Sequence, residues 1–187
     1  MRRGDHMLFE GLDWALGEGG ALVLNGPNGS GKSSLLRVIA GLLRPTRGSV
    51  EWEGKEVHKS EEYRATLHYI GHSSAVKAVF TVLENVKFWS DVNGGTGIVA
   101  ALEFFGLRNI EDVPGRFLSA GQRRRVALAN LLTAPRRVWL LDEPSVGLDE
   151  ESALALGSAI EVHRAKGGLV VAATHGELQL KDAAIIY

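Results

Sequence analysis

The chain has 187 residues, 45% of them hydrophobic and 23% charged, with a formal net charge of −1. That length suits one domain, or one domain with an inserted subdomain, and the near-neutral charge excludes bulk electrostatic binding to nucleic acid or to a membrane surface. The absence of cysteine excludes disulfides, thiolate metal sites and cysteine nucleophiles, and it fits a reducing compartment.

In chain order, MRRGDHMLFEGL (1–12) holds no apolar stretch of signal-peptide length. ALVLN (21–25) predicts a strand running into a glycine-rich loop. KSSLLRVIAGLL (32–43) places Leu35, Leu36, Ile39, Leu42 and Leu43 at helical spacing. RPTRG (44–48) reads as a turn, SVEWEG (49–54) as a strand at a sheet edge, and LHYIGH (67–72) as a buried strand entering a loop. From about 75 to 133 the pattern is helical, with TVLENVKFWSDV, TGIVAALEFFGL and GQRRRVALANLLTA separated by Asn93-Gly94-Gly95 and Pro114-Gly115. Helices with no strand between them predict an inserted helical subdomain (about 75–133) within a core made of 1–74 and 134–187. Its aromatics Phe88, Trp89, Phe104 and Phe105 are expected to pack it, with lining of a partner's groove as the other use. VWLLDE (138–143), EESALALGSAIEVHRAKG (150–167), LVVAATH (169–175) and AAIIY (183–187) continue as strand, amphipathic helix, strand and a last strand. Fully apolar strands alternating with helices predict an α/β fold with a mainly parallel sheet. No apolar run is long enough to span a bilayer, and no internal repeat is present, so one chain carries one copy of its site.

Gly26-Pro27-Asn28-Gly29-Ser30-Gly31-Lys32-Ser33 matches G-x-x-x-x-G-K-[ST] at every position, between a predicted strand and a predicted helix. The glycines let backbone N–H groups converge, and the helix start adds partial positive charge under a phosphate. Lys32 is a point charge for the β- and γ-phosphates, and Ser33 offers a hard oxygen to Mg²⁺. Ser34 completes this set of ATP-binding candidates. The competing reading is a glycine-rich turn that binds nothing.

VWLLDEP puts Asp142 and Glu143 at the C-terminal end of an apolar strand, where open α/β sheets bind ligands. Asp142 is the acidic partner of Ser33 for Mg²⁺, and Glu143 the residue to orient and deprotonate water. The plainer alternative is that the pair caps the strand before Pro144; two adjacent carboxylates leaving an apolar strand are costly without a cation or solvent. His175, at the end of another strand, is placed to contact the γ-phosphate and hold Glu143. The other five histidines, His6, His58, His68, His72 and His163, show no metal-ligand spacing.

Ser119-x-x-Gln122 in LSAGQRRR (118–125) matches a capping box. Three arginines in a first helical turn oppose the helix dipole, which calls for a facing anion or for carboxylates within their reach.

In order along the chain, 26–33, LSAGQ (118–122), LLDEP (140–144), GLD (147–149) and His175 resemble the motifs of an ABC-type ATPase, and the resemblance covers nearly the whole chain. It implies a P-loop NTPase core with an antiparallel edge sheet and a helical subdomain that moves on ATP binding. It also implies a head-to-tail dimer, in which Ser119, Gly121 and Gln122 of one copy close over the γ-phosphate held by Lys32 of the other. Asp149 would couple the two sites. The strand before the helical subdomain usually ends in Gln, which senses Mg²⁺; here His72 stands there as the candidate, shorter and titratable. Only about eight residues precede FEGLDW, so a clipped first strand is expected, with His6 or Phe9 in place of the usual adenine-stacking aromatic.

A narrower resemblance is carried by the Gly-His pair at 71–72, TVLENVKFW, LSAGQRRRVALANLL and the tryptophan of VWLLDEP. These are similar to the ATP-binding subunits of the haem exporter of bacterial cytochrome c maturation. That family implies a peripheral subunit on the cytoplasmic face of the inner membrane, bound to multi-spanning partners and needing no nucleic acid. The chain has no Cys-x-x-Cys-His, so cargo choice would belong to those partners. The alternatives are another small ABC exporter, a soluble ABC ATPase, a P-loop small-molecule kinase or an ATP-binding scaffold.

Overall fold

The computed structural model describes residues 2–3, 6–7, 9–176, 178 and 180–186. The apolar runs lie side by side as a five-stranded sheet in the order β6 (Leu67–Ile70), β7 (Val138–Asp142), β8 (Leu169–Thr174), β3 (Ala21–Asn25) and β9 (Ala184–Ile186). Every pairing in it is parallel. β1 (Arg2–Arg3) and β2 (His6–Met7) form a small antiparallel pair, as do β4 (Glu51–Trp52) and β5 (Lys55–Glu56). The helices are α1 (Lys32–Ile39), α2 (Glu61–Ala65), α3 (Val82–Val92), α4 (Ile98–Phe104), α5 (Ala120–Thr133) and α6 (Glu150–Ala165).

Strand alternation explains why β7 is apolar on both faces and buried throughout. Val138 and Leu140 join a cluster with Leu35, Leu36 and Ile39 of α1. Trp139 and Leu141 point the other way, into a cluster with Leu102, Val126, Leu128 and Ile160 from α4, α5 and α6. α5 packs against α3, α4, α6 and β6, so Val126, Ala127, Leu128, Ala129 and Leu131 are all buried. Of the predicted aromatics, Phe105 is buried while Phe104 is exposed, and Phe88 meets Phe80 and Trp89 edge to face.

Three local outcomes differ from the periodicity. The helix predicted over 32–43 ends at Ile39. Gly41 adopts φ 72°, its N–H bonds Val38 O at 3.0 Å, and the Leu42 N–H bonds Arg37 O at 2.8 Å. That pair of bonds is a Schellman ending, and it leaves Leu42 and Leu43 outside the helix and exposed. SVEWEG continues into a hairpin, because Glu53 and Gly54 at φ 50° and 77° suit a two-residue type I′ turn between β4 and β5. α2 was not anticipated: Ser60 Oγ accepts the Tyr63 N–H at 3.0 Å, and the buried Tyr63 hydroxyl donates to Ile39 O at 2.9 Å.

One buried ionisable group in β6 has a consequence for stability. His68 is buried beside β7, with Nε2 donating to Ala134 O at 3.0 Å. Burial pulls its pKa from 6.5 down to about 4. Between those values the unfolded chain holds a proton that the folded chain does not, so stability is full above pH 6.5 and falls as pH drops toward 4. Denaturant titrations at pH 7 and pH 5 are expected to differ by about 2 kcal/mol from this residue alone. In His68→Gln, which retains a donor for Ala134 O, that share of the difference disappears.

Candidate functional site

The loop from Gly26 to Gly31 leaves β3 at its C-terminal end and enters α1. Gly31 starts the helix at φ 99°, which L side chains rarely adopt, and no side chain caps that start. α2, α3, α5 and α6, by contrast, each begin on a side chain that accepts a backbone N–H. α1 therefore presents a helix N-terminus to whatever anion occupies the loop. Pro27, Asn28 and Gly29 are exposed at the loop's tip, and Ser34 is buried in the first turn of α1.

Lys32 is buried at the floor of this loop. Its ammonium donates to Gly26 O at 2.6 Å and to Pro27 O at 3.0 Å, and lies 3.7 Å from Glu143 Oε1. Ser33 Oγ donates to Asp142 Oδ1 at 2.9 Å. Asp142 is 1% exposed, and its second oxygen, Oδ2, has no hydrogen-bond partner. A buried carboxylate oxygen without a donor is costly unless a cation or its water shell meets it. Among the described residues no cluster of three or more His, Cys, Asp or Glu forms a metal cage. What the chain presents is two hard oxygens, Ser33 Oγ and Asp142 Oδ2, beside an anion cradle. This donor set fits Mg²⁺, which keeps waters and phosphate oxygens as its other ligands.

Glu143 stands at φ 50°, an unfavourable backbone for a residue with a Cβ, and is 7% exposed. Its N–H is anchored to Ala173 O of β8 at 2.8 Å. Its Oε2 is 2.9 Å from His175 Nδ1 and accepts the His175 N–H at 3.3 Å. The parallel sheet thus brings Lys32, Ser33, Asp142, Glu143 and His175 together from three strand ends. One carboxylate is held between an ammonium and an imidazole, and its neighbour keeps an oxygen open.

Ser119, Gly121 and Gln122 lie at the start of α5, where the capping box forms in both directions: Ser119 Oγ accepts the Gln122 N–H at 3.1 Å, and Gln122 Oε1 accepts the Ser119 N–H at 2.8 Å. Gly121 meets the 147–149 turn so closely that a Cβ there would lie 2.5 Å from Gly147 O. In that turn Asp149 caps α6 by accepting the Ser152 N–H at 2.9 Å, and the Ser152 hydrogen bonds lower its pKa. His72 is exposed on the loop after β6. Phe9 packs on the apolar cluster under α1, and the His6 side chain lies outside the described residues.

The arginines hydrogen-bond backbone carbonyls, and carboxylates act on Arg124 and Arg125 through charge alone. Arg123 donates to Leu118 O, and Arg125 to Phe105 O at 3.3 Å. Arg124 turns inward and is 4% exposed. It donates to Gly71 O at 2.8 Å, Asp142 O at 2.5 Å, Glu143 O at 2.8 Å and Pro144 O at 3.2 Å. Burial lowers its pKa while the Asp142 and Glu143 charges push it back up. Three arginines point three ways because successive helical residues are about 100° apart. The sequence signal for this anchor was the misplaced charge itself; its carbonyl partners could not be read from residue types, since every residue has one.

The family model for the ABC transporter matches residues 9–146. The chain is 48% identical over 188 residues to the cytochrome c biogenesis ATP-binding export protein CcmA of Paramagnetospirillum magneticum, covering 97% of this chain and 87% of that one. It is 47% identical over 187 residues to the protein of the same name from Rhodospirillum rubrum, covering 98% and 80%. Among solved structures, an ABC transporter ATP-binding protein from Pyrococcus furiosus superposes with a TM-score of 0.84 at 26% identity, covering 96% of this chain and 90% of that one. An ATP-binding cassette solved as a dimer in a post-hydrolysis state with ADP and Pi has the same fold, with a TM-score of 0.81 at 23% identity over 94% and 84% of the two chains. With the family model matched over 9–146 and relatives this similar along almost its whole length, the chain belongs to the ABC transporter family.

Proposed function

We propose that this chain is the ATP-hydrolysing motor subunit of an ABC transporter serving cytochrome c maturation, with haem as the cargo. The observation that carries the hydrolytic reading is Glu143, held at φ 50° between Lys32 and His175 beside the open oxygen of Asp142. The two relatives named for cytochrome c biogenesis support the narrower reading.

Each residue's part follows from its position. The N–H groups of the 26–31 loop and the start of α1 cradle the phosphates, and Lys32 neutralises the β- and γ-phosphates. Ser33 and Asp142 would hold Mg²⁺, which when bound supplies charge neutralisation between those phosphates. The Lys32 ammonium contacts Gly26 O, Pro27 O and Glu143. An arriving γ-phosphate is the stronger partner, so it draws Lys32 away and frees one oxygen of Glu143 for water. The water oxygen bonds the γ-phosphorus as the bond to the bridging oxygen breaks, its proton passes to Glu143, and ADP and phosphate result. His175 keeps the Glu143 carboxylate aimed throughout.

Ser119, Gly121 and Gln122 belong to the site of a second copy arranged head to tail, and Asp149 links the two sites through the turn that touches Gly121. The 75–133 segment moves against the sheet on ATP binding, and His72, exposed on the loop after β6, stands at the position of the family's Mg²⁺-sensing Gln. No helix among the described residues is long and apolar enough to cross a membrane. Attachment to the inner face of the bacterial inner membrane would then run through multi-spanning subunits.

Glu143→Gln keeps the shape of the site and removes the base. It is expected to lower kcat by about 10²- to 10⁴-fold while ATP–Mg²⁺ still drives dimer formation. Wild-type turnover in that variant would defeat the hydrolytic reading, and a phosphorylated acceptor in place of free phosphate would replace it with a kinase.

Asp142→Asn separates function from stability. Turnover with Mg²⁺ should fall by at least about 10²-fold. The melting temperature should stay level or rise, because the change removes a buried charge whose Oδ2 has no donor. A clear drop in melting temperature would make Asp142 a structural residue.

A further inference from the structure

We infer that Arg124 is a positioning residue that ties the start of α5 to the acidic end of β7, so that contact at Ser119 and Gly121 is transmitted to Asp142 and Glu143 of the same chain. The inference rests on the hydrolytic reading above and names a coupling element for that site.

Arg124 stands two residues beyond the capping-box Gln122, and its guanidinium makes four N–H···O bonds to four carbonyls. Three of these carbonyls are consecutive, at residues 142, 143 and 144, where the chain passes through the left-handed conformation of Glu143. That backbone turns its carbonyls toward one point, and a planar fork of donors fits the point in a way that a single ammonium does not. The fourth carbonyl, of Gly71, belongs to the loop that carries His72. One side chain therefore fixes the ends of two neighbouring strands to one helix.

The same helix start is in backbone contact with Gly147. α5 consequently touches the segment between β7 and α6 twice, through Gly121 at Gly147 and through the Arg124 guanidinium at the carbonyls of 142–144. A shift of α5 as its N-terminus meets a second copy's nucleotide cannot leave the Asp142–Pro144 backbone in place. Its cationic fork also sits behind two buried carboxylates and offsets their charge, complementing Lys32 on the other side. A role confined to stability would lower the folded fraction and nothing else; a positioning role alters the chemical step in molecules that are folded.

The test is steady-state ATP hydrolysis by Arg124→Lys and Arg124→Gln, each normalised to its folded fraction by near-ultraviolet circular dichroism, with Arg123→Lys as the control one residue away. The expected result is a fall in kcat of about tenfold or more with KM for ATP within about threefold, since small displacements of a catalytic carboxylate act on the chemical step. The lysine variant, which keeps the charge, should recover little of the loss, and Arg123→Lys should behave as wild type. A kcat that falls only in step with the folded fraction, or full activity in Arg124→Lys, would overturn the inference. Wild-type protein that hydrolyses no ATP would instead overturn the hydrolytic reading on which it rests.

Discussion

Two consecutive carboxylates buried at the end of one strand are the constraint around which this molecule is organised. Asp142 and Glu143 are 1% and 7% exposed, a placement that would be prohibitive in an apolar sheet without compensation. The compensation comes from several sides: Lys32 and Ser33 from the first turn of α1, His175 from the end of β8 and Arg124 from α5. These groups come from distant parts of the chain. The parallel sheet collects them because all its strands present their C-terminal ends on one edge. The fold is thus the means of holding this acidic pair together at one edge of the sheet.

The compensation is incomplete by one oxygen and one helix start. Asp142 Oδ2 lacks a donor, and α1 lacks a side-chain cap. Both shortfalls would be met by the proposed ligand, a nucleoside triphosphate with its cation, which would bring anionic oxygens to α1 and positive charge to Asp142. The left-handed backbone of Glu143 is a third cost concentrated at the same point. Such a site favours ligand-bound over ligand-free protein, as a motor that changes state with its nucleotide requires.

Much of this was legible from the sequence. The strand–loop–helix at 21–39 follows from an apolar run, glycines and helical spacing, and the ends of β7 and β8 follow from polar residues terminating fully apolar runs. The capping box at Ser119 formed as its spelling predicts. Other features were decided by tertiary geometry. Leu42 and Leu43 satisfy a helical period, yet Gly41 ends the helix: its backbone is left-handed, and a Cβ there would lie 2.9 Å from Val57 O. Arg124 reads as one of three like residues, and only its direction around α5 separates it from Arg123 and Arg125. Backbone carbonyls carry no sequence signature, so an anchor made of them has to be seen in three dimensions.

The start of α5 is the remaining half of the picture. Its capping box is complete, so Ser119 is held with its helix dipole facing outward, while the cradle at 26–33 is built from other elements of the same chain. A site split between two copies, as proposed, would explain why one chain carries both. Mixing two variants tests this most directly: Lys32→Ala, which disables the cradle, and Ser119→Asp, which keeps a good N-cap but sets a negative charge against the partner's phosphate. Each alone should be inactive. Mixed in equal amounts, they should regain about a quarter of wild-type ATPase activity, because half of the randomly formed dimers would hold one intact site of two. A mixture no more active than its separate components would contradict a site shared between copies.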